Sequence, residues 1–159
     1  MLYSQEDRQV NSARAKREAL FMLLCALPFL LVAALGFAMR IEPLCMAGAL
    51  LFGGTLILLF DLRVAPVLRY GRFLREISTG LTRRTAGTLV RLGEDPIYTD
   101  GVWMRECIIN IYEDQSEEGE RRFLLDCSKE IPAELLGKDV ALTSHGNAVV
   151  DVAPLGKQP

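Results

Sequence analysis

Two uncharged stretches decide the architecture of this chain: LFMLLCALPFLLVAALGFAM at residues 20–39 and PLCMAGALLFGGTLILLF at residues 43–60. Roughly 20 apolar residues cross the hydrocarbon core of a bilayer, which is about 30 Å thick. Uncharged runs of this length are uncommon in the helices of soluble proteins, and the apolar region of a cleavable signal peptide is shorter. The two stretches therefore predict a transmembrane helical hairpin.

Basic residues flank the predicted hairpin on both outer sides. Four lie in residues 1–19 and seven lie in residues 61–91, whereas the link between the spans holds only Arg40 and Glu42 as charged residues. Lysine and arginine near the ends of a span favour the cytoplasmic side. We therefore expect a multi-pass protein of the bacterial inner (plasma) membrane with both termini in the cytoplasm.

The net charge of −2 conceals an uneven distribution. Residues 1–91 hold 12 basic and 6 acidic side chains, a net of +6, whereas residues 92–159 hold 6 and 14, a net of −8. Each basic residue near an anionic surface contributes about 1 kcal/mol of attraction. Anionic lipid headgroups are therefore an expected partner of the first half. The acidic second half disfavours nucleic acid, and the chain contains neither GxGxxG nor GxxxxGK[ST].

Residues 61–84 are predicted to form a basic juxtamembrane amphipathic helix and linker, which follows a bend at Pro66 and ends near Gly80. An apolar stripe at helical spacing is formed by Tyr70, Phe73, Leu74 and Ile77. Two interpretations remain open, because this stripe suits either the headgroup region of the membrane or packing against the domain that follows. In the first interpretation the residues that contact the membrane surface are Arg63, Arg69, Arg72 and Arg75.

Small residues in the second span indicate a helix-packing face. Ala49 and Gly53 form a small-xxx-small pair, which lets another helix approach closely. The first span is the expected neighbour, because the link is short, and another subunit is the alternative.

From residue 85 the apolar pattern changes to a period of two, which predicts strands. Strands are predicted at Thr88–Leu92, Val102–Tyr112, Arg121–Cys127, Val140–Ser144 and Ala148–Val152. Turns are predicted at Gly93–Pro96 and Asp100–Gly101, and a helical turn at Ile131–Leu136. Short strands with one helical turn before the fourth are typical of a small OB-like barrel.

The sequence therefore predicts a membrane α-helical hairpin plus a small all-β cytoplasmic domain. The expected organisation is an N-terminal cytoplasmic tail (1–19), the hairpin (20–60), the basic helix and linker (61–84), the β-rich domain (85–154) and a short tail (155–159).

A register can also be predicted from the need for one apolar face. Between the strands Val102–Tyr112 and Arg121–Cys127, the predicted register sets Cys107 opposite Cys127, Ile109 opposite Leu125 and Ile111 opposite Phe123. In the last hairpin it sets Leu142 opposite Val150 and Val140 opposite Val152, with Asn147 in the left-handed conformation.

This layout over residues 20–154 resembles the membrane-anchored OB-type barrels of NfeD-like proteins, at the level of architecture and without a diagnostic motif. The stretch GKDVALTSHGN at residues 137–147 also resembles segments of uncharacterised small two-span bacterial membrane proteins. The resemblance implies the fold and supplies no activity.

Candidate sites for chemistry are few. Cys107 and Cys127 would be cross-strand neighbours, able to hold a metal ion or to form a disulfide, although buried free cysteines usually fill a core. Zinc needs further ligands, and His145 is the single histidine. His145 adjoins Ser144, but neighbours in a tight turn do not make a nucleophilic triad.

The acidic loop at residues 113–120 lacks calcium-loop spacing and is typical of a solvated loop or of docking to a basic partner. We expect no metal and no cofactor.

These observations predict a non-enzymatic membrane protein, an accessory or anchoring subunit that presents its β-domain to a protein partner. Trp103 and His145 are the residues predicted to take part in such an interaction. A homo-oligomeric channel or transporter component is the alternative.

Overall fold

The computed structural model describes residues 2–111 and 119–155 of the chain. The chain divides into two compact units, of which one is Arg8–Gly71 and the other comprises Met1–Asp7 together with Arg72–Pro159. The first unit is helical. The second contains the β-strands, the last part of a helix and the N-terminal residues.

The helical unit is built around an apolar hairpin. Helix α1 spans Gln5–Ala38 and helix α2 spans Glu42–Leu59, so the two predicted spans are helical almost throughout. Both helices are long and apolar enough to cross a membrane. Most of their large apolar side chains are exposed, with Phe37 at 79% and Leu50 at 74%. This is the opposite of what a pair of core helices in a soluble protein shows.

Glycine lets the two helices of the hairpin approach closely. A Cβ atom on Gly36 would lie 2.5 Å from the Cys45 backbone nitrogen, and one on Gly48 would lie 2.5 Å from the Ala33 backbone nitrogen. Any side chain at position 36 or 48 would therefore push the helices apart.

Helix α1 begins at Gln5, within the stretch 1–19 that the sequence predicted to be an N-terminal tail. Its first turns are not a free tail. The Asn11 side-chain amide donates a hydrogen bond to the Val67 carbonyl at 3.1 Å. Residues 8–19, which precede the first predicted span, are therefore part of the helical unit.

The second span continues into a third helix through one wide turn. A π-helical segment, Phe60–Val64, precedes helix α3, which spans Ala65–Thr79. The Ala65 N–H donates to the Phe60 carbonyl, five residues back. Pro66 has no N–H to donate, which explains why the regular ladder is interrupted here.

The second unit contains a closed five-stranded barrel. The strands are β1 (Arg83–Thr99), β2 (Val102–Ile111), β3 (Glu120–Asp126), β4 (Asp139–His145) and β5 (Ala148–Pro154). Their order around the barrel is β1-β2-β3-β5-β4, and β4 pairs with β1 to close it. All pairs are antiparallel except β3 with β5. A single 3-10 turn, Ala133–Leu135, lies between β3 and β4, where the sequence predicted a helical turn.

The predicted strand β1 was too short. The stretch Gly93–Pro96 is not a turn between strands, because β1 runs through it with irregular pairing between Leu92 and Pro96. Glycine and proline inside a strand also mark bulges, and a bulge bends a strand without ending it. The turn at Asp100–Gly101 is confirmed, and both residues have positive φ, at 53° and 83°.

The predicted register between β2 and β3 was wrong, although the predicted faces were right. Cys107 pairs with Phe123 rather than with Cys127, and Leu125 pairs with Arg105 rather than with Ile109. The shift is four residues, an even number, so the same side chains remain inside. Tyr112, the predicted end of β2, lies outside the described residues.

The register of the last hairpin was also wrong. Leu142 pairs with Val152 and Val140 with Pro154, since the pairing shifts at a bulge between Thr143 and Ser144. His145 pairs with Ala148, which leaves a two-residue turn. Gly146, with φ of 57°, takes the left-handed conformation that was predicted for Asn147.

The barrel core consists of side chains from every strand. Its fully buried members are Leu89, Cys107, Ile109, Leu125, Val140, Leu142 and Val149. Leu2 packs against this core, and its N–H donates to the Val150 carbonyl at 3.3 Å. The N-terminal residues are therefore part of the barrel unit.

Candidate functional site

The apolar stripe of α3 is covered by protein. Phe73, Leu74 and Ile77 are buried in the unit that contains the barrel, and the Phe73 ring meets the Tyr3 ring edge-on at 6.0 Å. The interpretation that places this stripe in the headgroup region is therefore wrong for these three side chains. They are not available to insert into lipid.

The four arginines predicted to contact the membrane surface remain outside the core. Arg69, Arg72 and Arg75 are exposed on α3. Arg63 forms an ion pair with Glu18 at 3.2 Å. Its guanidinium also lies 4.5 Å from the centre of the Phe21 ring. Contact of these arginines with lipid stays a prediction.

The predicted helix-packing pair does not form the contact between α1 and α2. Ala49 is exposed, and a Cβ atom on Gly53 would meet nothing within 4 Å. The close contacts are made by Gly36 and Gly48 instead. Adjacent helical residues point about 100° apart, so the choice of Gly48 turns Ala49 away from α1. The alternative, in which Ala49 and Gly53 face another subunit, is compatible with this exposure.

Trp103 lies on an exposed aromatic patch at the tip of the β1–β2 hairpin. The Trp103 ring meets the Tyr98 ring, with centroids 4.9 Å apart. Trp103 is 56% exposed and Tyr98 47%, and Ile97 beside them is 38% exposed. We call Ile97, Tyr98 and Trp103 the aromatic tip. Tyr98 was not predicted from the sequence, although a two-residue turn at 100–101 makes 98 and 103 cross-strand partners.

Three acidic residues lie on the same hairpin as the aromatic tip. Glu94, Asp95 and Asp100 are all exposed on the same hairpin. Bulky aromatic residues at the centre of a patch, with charged residues at its rim, are typical of protein interfaces. The tip therefore suits a partner that offers an apolar groove with a basic rim.

His145 is half-buried and contacts the residues that connect α3 to β1. Its Nδ1 lies 2.9 Å from the Leu81 carbonyl, so an Nδ1–H tautomer would donate a hydrogen bond to it. A Cβ atom on Gly80 would collide with the imidazole ring. Gly80 follows α3 as predicted, and its N–H donates to the Glu76 carbonyl. Glycine is needed at position 80 because the imidazole leaves no space for a Cβ atom. Backbone conformation is not the reason, since Gly80 does not have a positive φ. His145 therefore fixes the linker that enters β1.

The two cysteines of the barrel unit are not neighbours. Cys107 is fully buried, whereas Cys127 is exposed just after β3. Burial raises the pKa of the Cys107 thiol to about 11, and the positive charge of Arg105 acts in the opposite direction. The alternative in which these two cysteines form a metal or disulfide pair is therefore wrong, whereas Cys107 is part of the barrel core. Within residues 2–111 and 119–155, no group of three His, Cys, Asp or Glu side chains is arranged to hold a metal ion. The acidic residues 113–118 lie outside the described residues.

No protein-family model, no curated protein and no solved structure matches this chain.

Proposed function

We propose that this chain is a non-enzymatic integral membrane protein, an accessory or anchoring subunit that presents an OB-like barrel to a protein partner in the cytoplasm. The aromatic tip is the observation that carries this proposal. Aromatic rings that are half-exposed and in contact with each other offer a large apolar area with little conformational entropy to lose.

Membrane anchorage is supported by the surface of the hairpin. Its large apolar side chains need an apolar solvent, since an exposed apolar surface of this size is unfavourable in water. The basic residues on both outer sides support a cytoplasmic location of the barrel. The strand order β1-β2-β3-β5-β4 in a closed five-stranded barrel supports the OB-like assignment.

The partner is expected to be basic and apolar. The exposed acidic residues of the β1–β2 hairpin, Glu94, Asp95 and Asp100, attract a positive surface and repel an anionic one. This feature also disfavours insertion of the tip among anionic headgroups, which the same aromatic residues would otherwise suit.

A photo-crosslinking amino acid placed at Trp103 tests this proposal in native membranes. We expect one defined protein adduct, which Tyr98→Ala weakens and a charge reversal at Asp95 abolishes. The matched control is the same amino acid at Leu136, which is 51% exposed elsewhere in the barrel unit. Equal adducts from positions 103 and 136, or an adduct with lipid alone, would contradict the proposal.

A homo-oligomeric channel or transporter component is the second candidate. The openness of Ala49 and Gly53 favours it, because small residues on a lipid-facing surface permit close packing of another copy. The mass of the complex in mild detergent separates the candidates. A ring of four or more copies that Gly53→Leu disperses favours the channel.

A further inference from the structure

One end of the barrel holds a small cavity lined by hydrogen-bond donors. Its volume is about 140 Å³. The lining residues are Arg83, Thr85, Arg121, Arg122, Phe123, Ser144, Gly146 and Asn147. We call it the arginine cavity. Drug-sized ligands need cavities of about 300 Å³ or more, so this one suits a single small group.

Strand alternation explains why arginines come to this end. Leu125 and Phe123 point into the barrel, so Arg121, two residues before Phe123, continues the same inner face. In the same way Arg83 continues the inner face of β1 that leads to Leu89. The core thus changes from apolar side chains to guanidinium groups at its mouth.

Arg83 and Arg121 line the cavity together with smaller side chains that can donate hydrogen bonds. Arg83 is paired with Ser144 across β1 and β4, and Ser144 is only 2% exposed. The β4–β5 turn brings Asn147 beside β3, because the Leu124 N–H donates to the Asn147 carbonyl at 2.7 Å. Hydroxyl, amide and guanidinium groups from three parts of the barrel therefore line one cavity.

The charges of the lining residues indicate which class of ligand the arginine cavity can bind. Arg122 is offset by Glu106 at 3.2 Å, whereas Arg83 and Arg121 have no ion pair among the residues that the structure describes. None of the described side chains that line the cavity is acidic. Two guanidinium groups supply only donors in a planar fork, which matches an acceptor-only oxyanion of charge about −2.

We propose that the arginine cavity binds a phosphate group of charge about −2, with Arg83 and Arg121 as its principal ligands. Free inorganic phosphate and the phosphate monoester headgroup of a lipid share this chemistry. An extended polyanion is disfavoured, because residues 92–159 carry a net charge of −8 and the cavity holds one group. The site is separate from the aromatic tip, so it does not depend on the proposed protein partner.

Binding to the full chain in a neutral detergent tests the proposal with two probes. Inorganic phosphate is titrated by calorimetry, and short-chain phosphatidic acid is compared with phosphatidylcholine by native mass spectrometry. We expect Arg83→Gln and Arg121→Gln each to weaken binding about tenfold or more, because each removes a charge-assisted hydrogen-bonding group. Retention of phosphatidic acid without affinity for inorganic phosphate would identify a lipid as the source, and the reverse would identify a free phosphate.

Arg84→Gln is the matched control. It removes the same charge from the neighbouring position of β1, on the opposite face of the strand, and should leave binding within about twofold. Arg83 and Arg121 are both exposed, so their replacement should keep the circular dichroism spectrum of the folded chain. Binding of neither probe, or an equal loss in Arg84→Gln and Arg83→Gln, would overturn the proposal.

Discussion

The Lys129 ammonium lies 2.9 Å from both carboxylate oxygens of Asp7, although 122 positions separate the two residues in the chain. Asp7 also belongs to the cap of α1. The Ser4 N–H donates to the Asp7 carboxylate at 2.8 Å, and the Asp7 N–H donates to Ser4 Oγ at 3.3 Å. One carboxylate therefore both starts the first helix and fastens the N-terminal residues to the barrel unit.

A double-mutant cycle of Asp7→Asn and Lys129→Met should measure this link. Both side chains are only partly exposed, at 28% and 20%. We expect a coupling free energy of about 0.2–1 kcal/mol toward the upper end of that range, measured by unfolding of the barrel unit in the intact chain. The same cycle with Glu106 and Arg122, whose arginine is 69% exposed, is the control and should give less. Additive effects at Asp7 and Lys129 would contradict the link.

The same carboxylate should make stability depend on pH. The Ser4 backbone N–H, and after it Lys129, lower the pKa of Asp7 from its ordinary value of 3.8. A lowered pKa contributes stability that is complete above the ordinary value and is lost as the pH falls through the folded value. The free-energy difference between the wild type and Asp7→Asn should therefore be constant above about pH 5 and shrink below about pH 4. A difference that stays constant through acid titration would show that Asp7 has an ordinary pKa.

Leu125 and Arg122 should respond very differently to truncation. Leu125 is fully buried, so Leu125→Ala should lower the free energy of unfolding by about 2–5 kcal/mol. Arg122 has an exposed ion pair with Glu106, so Arg122→Ala should cost less than about 1 kcal/mol. Chemical denaturation in detergent measures both values. Similar costs would mean that the two faces of β3 are covered equally.

The faces of the strands could be predicted because apolar alternation has a period of two. The same alternation cannot distinguish Cys107 opposite Cys127 from Cys107 opposite Phe123, since a shift of four residues leaves every side chain on its face. Pairing depends on the connection between β2 and β3, and the loop composition carries no sharp turn signal. The start of α1 was predictable in principle, because Ser4 and Asp7 have the spacing of a capping box.

The two candidate sites differ in how much the sequence reveals. The aromatic tip follows from one local turn, since Asp100–Gly101 makes Tyr98 and Trp103 neighbours. The arginine cavity combines residues from strands that are far apart in the chain, such as Arg83 and Arg121. Nothing in the sequence distinguishes Arg83 or Arg121 from the other arginines. Only the closure of the barrel brings these two residues to the same end of it.

Substitutions at two glycines of α2 should distinguish a position that packs against α1 from a position with open space around it. Gly48→Ala places a Cβ atom against the Ala33 backbone and should destabilise the hairpin by about 1–3 kcal/mol. Gly53→Ala meets nothing within 4 Å and should stabilise it by up to about 1 kcal/mol through helix propensity. Thermal unfolding in detergent, with helicity as the signal, measures both. Destabilisation by Gly53→Ala would indicate that another copy occupies this face.

Cysteine labelling in intact cells should establish the orientation of the chain. Cys127 is exposed in the barrel unit, and Ile41 lies in the link between α1 and α2. Once Cys25 and Cys45 are replaced by alanine, a membrane-impermeant maleimide should label Ile41→Cys in intact cells and Cys127 only after lysis. We expect this labelling pattern because the basic residues on both outer flanks of the hairpin favour a cytoplasmic location of the barrel. Cys107 serves as the control for folding, since it is fully buried and its pKa is raised to about 11, so it should react only after denaturation. Labelling of Cys127 in intact cells, with Cys107 still protected, would place the folded barrel outside the cytoplasm and reverse the orientation.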